Sequence, residues 1–152
     1  MKQITIQELF GCFKLNASQE SLGYQWEVKI NQKEVERFFE EIQFFSNLKP
    51  IKVYDLGTIK LYDFPNKEIC DGEQRLTTIV IFVAVLLQKL RTISELYLSE
   101  IEVFEDLIKR NATYKFSTIK EDNQLFRDFV VDKIPIKKNT KISESGKRII
   151  NT

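Results

Sequence analysis

The chain has 152 residues, of which 43% are hydrophobic, so its length and composition fit one globular domain with its own core. Its 23 basic and 22 acidic residues leave a net charge of +1, so any contact with a nucleic acid must be local. Histidine is absent, which excludes histidine-dependent nuclease chemistry from these residues.

The two cysteines and the apolar segments indicate in which cellular compartment we expect the protein. Cys12 and Cys70 lie far apart without the paired spacing of a zinc site or a disulfide framework, so we expect two reduced thiols and no zinc site. The N-terminus lacks an apolar stretch of signal-peptide length, and the longest apolar run, residues 79–87, is too short to span a bilayer. We therefore expect a soluble, cytoplasmic protein without a membrane partner.

The N-terminal part predicts two helices. Thr5 and Glu8 have the spacing of a capping box, which predicts a short helix to about Gly11, followed by a brief strand over residues 13–16. A second helix is predicted from residue 31 to about residue 48. Its apolar residues recur on one face, which should lie against the core: Val35, Phe38, Phe39, Ile42 and Phe45.

A β-hairpin is predicted next. Residues 51–54 and 58–64 have the β-branched and aromatic content of strands, with a bend at Gly57 between them. Residues 65–66 have turn chemistry, and residues 67–70 predict a strand that returns beside residues 58–64.

The rest of the chain predicts mainly helices, and no linker is evident before Pro135. The predicted elements are a buried helix over residues 77–91, an amphipathic partner helix over 94–110 ending at Asn111, a short strand over 114–116, a helix over 118–134, a basic connector over 137–141 and a final helix from 143. Together these elements predict an α+β fold in which a small mixed sheet precedes a mainly helical region. We interpret residues 1–152 as one domain, and the end of the chain two turns into the last helix suggests a fragment of a longer protein.

The segment with the most chemical content is Asp71-Gly72-Glu73-Gln74-Arg75, which lies between the hairpin and the buried helix. At such a strand-turn-helix junction, unpaired amides and the positive end of the helix dipole suit a phosphate. Gly72 permits a backbone conformation closed to other residues, and Arg75 can donate to two phosphate oxygens. Asp71 and Glu73 are candidate ligands of Mg²⁺, and Glu73 could instead orient an attacking water.

The same residues also fit a structural role. An Asp-Gly pair followed by polar residues is an ordinary turn and helix cap, in which Arg75 would form a surface ion pair. Thr77 and Thr78 add hydroxyl groups that could bind a ligand or cap the helix. The residue types alone leave the functional and the structural interpretation open.

Residues 71–78 read DGEQRLTT, which is similar to the DGQQRLTT signature of the N-terminal domains of GmrSD-type, type IV restriction systems. The order of the flanking features resembles that family over nearly the whole chain. These features are Tyr24 and Trp26, a following helix with Val35, Phe38 and Ile42, residues 56–59, residues 122–129 and residues 145–150.

The resemblance implies a core similar to ParB and sulfiredoxin and a motif that binds and hydrolyses nucleoside triphosphates, with Mg²⁺, during restriction of foreign, often modified, DNA. Carried onto this chain, it implies catalytic roles for Asp71, Glu73 and Arg75. It implies a nucleotide site formed by Gly72, Gln74, Arg75, Thr77 and Thr78, with a phosphate contact from Arg75. Cleavage commonly belongs to a separate, histidine-containing nuclease domain, which we expect in missing C-terminal sequence or in a partner chain.

One feature departs from the family pattern. Members usually carry a tyrosine-glutamine-arginine box before their tyrosine-x-tryptophan, where this chain has Ser18, Gln19 and Glu20. If that arginine neutralises a triphosphate, Glu20 would repel it, and hydrolysis would be weak or lost. Tyr24 and Trp26 fit base stacking, although core packing is the commoner role of such residues.

Three hypotheses follow from these residues. The first is a nucleotide-binding regulatory domain, able to hydrolyse triphosphates, that gates a DNA nuclease. The second is a ParB-like module that binds nucleotide or DNA without turnover. The third is a structural fragment whose motif only caps a helix, which predicts no effect of nucleotides on the melting temperature.

Overall fold

The structure is a computed structural model that describes residues 3–18, 20–26, 34–50, 53–62, 67–93 and 98–152. The described elements in chain order are α1 (Ile6–Cys12), β1 (Leu15–Ala17), α2 (Glu34–Ser46), β2 (Lys60–Tyr62), β3 (Lys67–Asp71), α3 (Glu73–Ile93), α4 (Leu98–Ile108), β4 (Lys109–Arg110), β5 (Thr113–Tyr114), β6 (Phe116–Ser117), α5 (Asn123–Leu125) with its π-helical continuation (Phe126–Val131), and α6 (Glu144–Asn151).

Four strands form a mixed sheet in the order β2-β3-β1-β6. β1 pairs in parallel with both β3 and β6, and β2 pairs antiparallel with β3 as the hairpin that the sequence predicts. β4 and β5 form a separate two-stranded sheet. The α+β class, with a hairpin leading into the Asp71–Arg75 motif, is thus confirmed, while the likeness to ParB and sulfiredoxin stays a prediction.

The core joins one face of the sheet to α3. Leu15, Ile69 and Phe116 come from three neighbouring strands and belong to the same buried cluster as Leu76 and Val80 of α3. By length and apolar composition alone α3 would reach across a membrane, but half of its most apolar window is buried inside the fold. Such burial is expected of the central helix of a folded domain, and the sequence predicts α3 as a buried helix.

Several local predictions are confirmed. Thr5 and Glu8 form both hydrogen bonds of the capping box, Glu8 N to Thr5 Oγ1 at 3.1 Å and Thr5 N to Glu8 Oε2 at 2.7 Å. The last helix begins after Ser143, whose hydroxyl accepts from Gly146 N at 2.8 Å. Three predicted features lie outside the described residues: the beginnings of two helices, at residues 31–33 and 94–97, and the turn at residues 65–66.

Two predicted elements differ from the structure. In the described part of the predicted strand over residues 51–54, Tyr54 forms no strand but lies along α2, where its hydroxyl donates to Glu41 Oε2 at 2.7 Å. The helix predicted from residue 118 begins at Asn123 and widens to π-helix from Phe126, with Asp132 N donating to Arg127 O at 2.9 Å. Apolar spacing marks the helical segment but not its hydrogen-bond pattern.

Candidate functional site

The motif occupies the junction that the sequence predicts. β3 ends at Asp71, Gly72 has φ +96°, and α3 begins at Glu73. Leu76 N donates to Gly72 O at 3.0 Å, which closes the first turn of the helix. A Cβ atom on Gly72 would lie 2.9 Å from Ile59 Cγ1, so both the backbone angle and the space require glycine here.

Arg75 binds the backbone of the segment before β2. Its guanidinium donates to the carbonyl oxygens of Leu56 and Thr58, the latter from Nη2 at 2.8 Å, and Nη2 lies 3.7 Å from Asp71 Oδ1. Gly57, between the two acceptors, has φ +78°, and a Cβ there would lie 2.5 Å from Arg75 Nη1. The arginine that the sequence assigns to a phosphate is therefore also a brace for this turn.

Gln74 fixes a second segment through both ends of its amide. Its Oε1 accepts from Gln25 N at 2.6 Å and from Trp26 N at 3.3 Å, and its Nε2 donates to Gly23 O at 2.9 Å. The residue expected to bind nucleotide thus holds the backbone of residues 23–26 against α3.

Thr78 holds the same segment from inside the core. Its Oγ1 donates to Gln74 O at 2.9 Å and lies 2.8 Å from the hydroxyl of Tyr24, which is 1% exposed. Burial raises the pKa of Tyr24 above its ordinary value. Trp26 packs against Phe38 with ring centroids 5.8 Å apart. Both aromatic side chains are therefore part of the packing, the commoner role named above.

Glu73 is buried at the start of α3 and is only partly satisfied. Its Oε2 accepts from the Ser21 hydroxyl, while its Oε1 has no hydrogen-bond partner among the described residues. Asp122, which is 1% exposed, has the same character: its Oδ1 accepts from Ser143 Oγ, and its Oδ2 has no described partner. Burial and the negative charge of Asp122 raise the pKa of Glu73, and the bond from Ser21 opposes them.

Thr77 carries a third unpaired oxygen on the same helix as Glu73. It lies one helical turn after Glu73, it is fully buried, and its Oγ1 has no hydrogen-bond partner among the described residues. Buried polar atoms are nearly always paired, so these three oxygens are candidates for contact with a ligand, an ion or a water. We refer to Glu73, Thr77 and Asp122 as the buried polar cluster.

Asp71 and Glu73 are close together in the motif but have different surroundings in the structure. Asp71 is half exposed and lies beside Arg75, whereas Glu73 is buried with Asp122. Sequence reasoning missed Asp122 as a partner because it lies 49 positions from Glu73 and no motif spacing connects them. Its one sequence signal was its place in the segment of residues 122–129 that resembles the restriction family.

Comparison with known proteins identifies the family. The model of the GmrSD restriction endonuclease N-terminal domain matches residues 23–151, which is most of the chain. The chain therefore belongs to this family, as its motif indicates. The matched range begins after Glu20, so the suggested replacement of a family arginine at that position stays a prediction. No curated protein and no solved structure matches the chain.

Proposed function

We propose that this domain binds a nucleoside triphosphate together with Mg²⁺ and thereby regulates the DNA nuclease of a restriction system. Membership of the GmrSD restriction endonuclease family supports the restriction role and DNA as the target. Foreign or modified DNA is the expected substrate of the whole system, and the cytoplasm is its expected location. Because this chain has no histidine, we assign cleavage to a further segment or a partner chain.

The observation that carries this proposal is the pair of unpaired carboxylate oxygens in the buried polar cluster. Glu73 Oε1 and Asp122 Oδ2 are hard oxygen ligands whose charges interact. Mg²⁺ in nucleotide sites is commonly bound through one or two protein carboxylates, with phosphates and waters completing its shell. The residues present thus fit the ion, which would supply neutralisation of phosphate charge when bound.

The remaining motif residues position this pair. Ser21 donates to one oxygen of Glu73 and leaves the other available, and Gln74 fixes the neighbouring segment. Arg75 uses two of the five N–H donors of its guanidinium on backbone carbonyls, so a phosphate contact from the remaining donors is compatible with its role as a brace. Asp71 forms an ion pair with Arg75 at the exposed edge of the site, with Oδ1 3.7 Å from Nη2.

The test is thermal unfolding with each of the four common nucleoside triphosphates, with and without Mg²⁺, for the native chain and for Glu73→Gln. Glutamine keeps the shape of Glu73 and an acceptor for Ser21 but removes the charge that would hold a cation. The matched control is Glu102→Gln, an exposed position on α4. A triphosphate at about 100 times its Kd should add about 2.7 kcal/mol of stability to the native chain and to the control.

Loss of the Mg²⁺-dependent stabilisation in Glu73→Gln alone would support the proposal. Stabilisation of the native chain that survives unchanged in Glu73→Gln would remove the buried polar cluster from the site. Absence of any stabilisation of the native chain would overturn nucleotide binding altogether. Release of phosphate in the same samples separates a hydrolysing domain from a module that binds without turnover.

A further inference from the structure

A polar row crosses the outer face of the sheet. In the register of the strands, Asn16 of β1 is paired with Glu68 of β3 on one side and with Ser117 of β6 on the other. Residues at the same register on neighbouring strands project to the same face. Leu15 and Ile69, one position away, belong to the core, so the polar row lies on the opposite face.

The chain after β6 rises beside this row and makes a cleft of about 250 Å³. Thr118, Lys120, Asn123 and Arg127 contribute from that side, and Lys14 contributes from the start of β1. Ligand pockets for whole drug-sized molecules are typically about 300–1,000 Å³. The size of this cleft therefore suits one or two small charged groups rather than an entire nucleotide.

Positive charge predominates in the cleft. Lys14, Lys120 and Arg127 line it against the single carboxylate of Glu68. In the part of the chain that the structure describes, none of the three cations lies within ion-pair distance of a carboxylate. The chain as a whole is almost neutral, so three cations around one small cleft are a local feature of this surface.

The orientation of Arg127 is fixed in advance of any ligand. Its guanidinium carbon lies 4.8 Å from the centroid of the Tyr114 ring, and Nη2 donates to Ser117 Oγ at 3.1 Å. Yet Arg127 Nε is buried without a hydrogen-bond acceptor among the described residues. A buried guanidinium donor without an acceptor is costly, and an oxyanion would satisfy it.

We infer that this cleft binds phosphate groups. The planar guanidinium of Arg127 suits a tetrahedral oxyanion, while the Nδ2 group of Asn123 and the hydroxyl of Ser117 offer neutral donors beside it. The phosphates of a nucleotide and the phosphodiesters of DNA share this chemistry. The cleft shares no lining residue with the buried polar cluster, and phosphate binding there requires no Mg²⁺, so this inference goes beyond the proposed function.

The first experiment measures binding of inorganic pyrophosphate to the full chain by calorimetry without Mg²⁺. Charge reversal at exposed Lys14 or Lys120 should weaken pyrophosphate binding by at least about fivefold, because each lysine faces the anion. Lys138→Glu, exposed and outside the cleft, removes the same charge and should leave the affinity within about twofold. Glu68→Gln should strengthen binding, since it removes the only carboxylate of the cleft.

Two outcomes would overturn the phosphate site: no saturable binding of pyrophosphate, or equal weakening by Lys138→Glu and the cleft variants. The pyrophosphate measurement contains no Mg²⁺ and the nucleotide test depends on Mg²⁺, so failure of one proposal is distinguishable from failure of the other. The source of the phosphate follows from repeating the Lys14→Glu measurement with a nucleoside triphosphate and with duplex DNA. A loss confined to the triphosphate identifies a nucleotide subsite, and a loss confined to DNA identifies a backbone contact.

Discussion

Arg75 Nη2 donates a 2.8 Å hydrogen bond to the backbone carbonyl of Thr58, across the turn that contains Gly57. A second bond, to the carbonyl of Leu56, makes the guanidinium the connection between α3 and the segment before β2. We therefore predict that Arg75→Ala lowers the free energy of unfolding by about 2 kcal/mol, since bonds from charged groups are among the stronger ones.

Urea unfolding of the native chain and of Arg75→Ala, without nucleotide, checks this prediction. Arg37→Ala is a suitable control, because the side chain of Arg37 is 79% exposed and pairs with Glu41 one turn away on the same helix. The control should change stability by less than about 0.5 kcal/mol. Equal stability of Arg75→Ala and the native chain would contradict the role of Arg75 as a brace.

Gln74→Glu tests the second connection of the motif. The carboxylate keeps an acceptor for Gln25 N but places a negative charge where Nε2 donates to Gly23 O. We expect a loss of about 1–2 kcal/mol at neutral pH, measured by urea unfolding. Gln43→Glu, exposed on α2, makes the same chemical change outside any such contact and should be near neutral. Comparable losses in both variants would show that added charge, not the lost bond, is responsible.

Gly72→Ala tests whether the turn before α3 requires glycine at this position. The φ of +96° and the 2.9 Å approach of a Cβ to Ile59 Cγ1 predict destabilisation by about 1–3 kcal/mol. At Gly11 in α1 a Cβ would meet no atom within 4 Å, so Gly11→Ala should stabilise the chain by about 0.5–1 kcal/mol. Melting temperatures that move in opposite directions would confirm both statements, and a neutral Gly72→Ala would contradict the first.

Patterns that depend on near neighbours were readable from the sequence. The capping box of Thr5, the buried helix α3 and the hairpin before Asp71 rest on spacings of a few residues, and each is present in the structure. The parallel pairing of β1 with β3 and β6 joins segments about 50 and 100 positions apart, and no local pattern specifies it. This pairing is what creates the polar row at Asn16.

The sequence could indicate only part of the candidate site, for the same reason. The DGEQR segment is recognisable from its own residues. In contrast, Asp122, whose charge acts on Glu73, lies 49 positions further along the chain. The role of Arg75 also depends on where the turn at Gly57 is brought in space. Residue types therefore indicated which side chains of the motif are candidates, and only the fold distinguishes those that brace the backbone from those that remain unpaired among the described residues.

Asp132 gives the fold a measurable dependence on pH. Burial of its carboxyl opposes ionisation, but hydrogen bonds from Lys109 Nζ, at 2.6 Å, and from the Tyr114 hydroxyl outweigh it and lower the pKa of Asp132. A carboxyl whose pKa is lower in the folded state stabilises the fold above its unfolded pKa of about 3.9, and this contribution is lost as the pH falls through the folded pKa. The hydrogen bond that Lys109 donates to Asp132 raises the pKa of Lys109, so the stability that the charged lysine contributes is lost only as the pH rises above about 10.4.

We therefore predict that Asp132→Asn is less stable than the native chain at pH 7 and that the difference shrinks on acidification from about pH 5 to pH 2. Urea unfolding at several pH values measures the difference directly. Asp106→Asn is the matched control, since Asp106 lies 3.7 Å from Arg110 in an exposed pair, where such contacts contribute about 0–1 kcal/mol. The ionised carboxylate of Asp132 accepts from both Lys109 and Tyr114, and protonation weakens both bonds. If the difference in stability between Asp132→Asn and the native chain stayed constant from pH 7 to pH 2, the ionised carboxylate would not be the stabilising group.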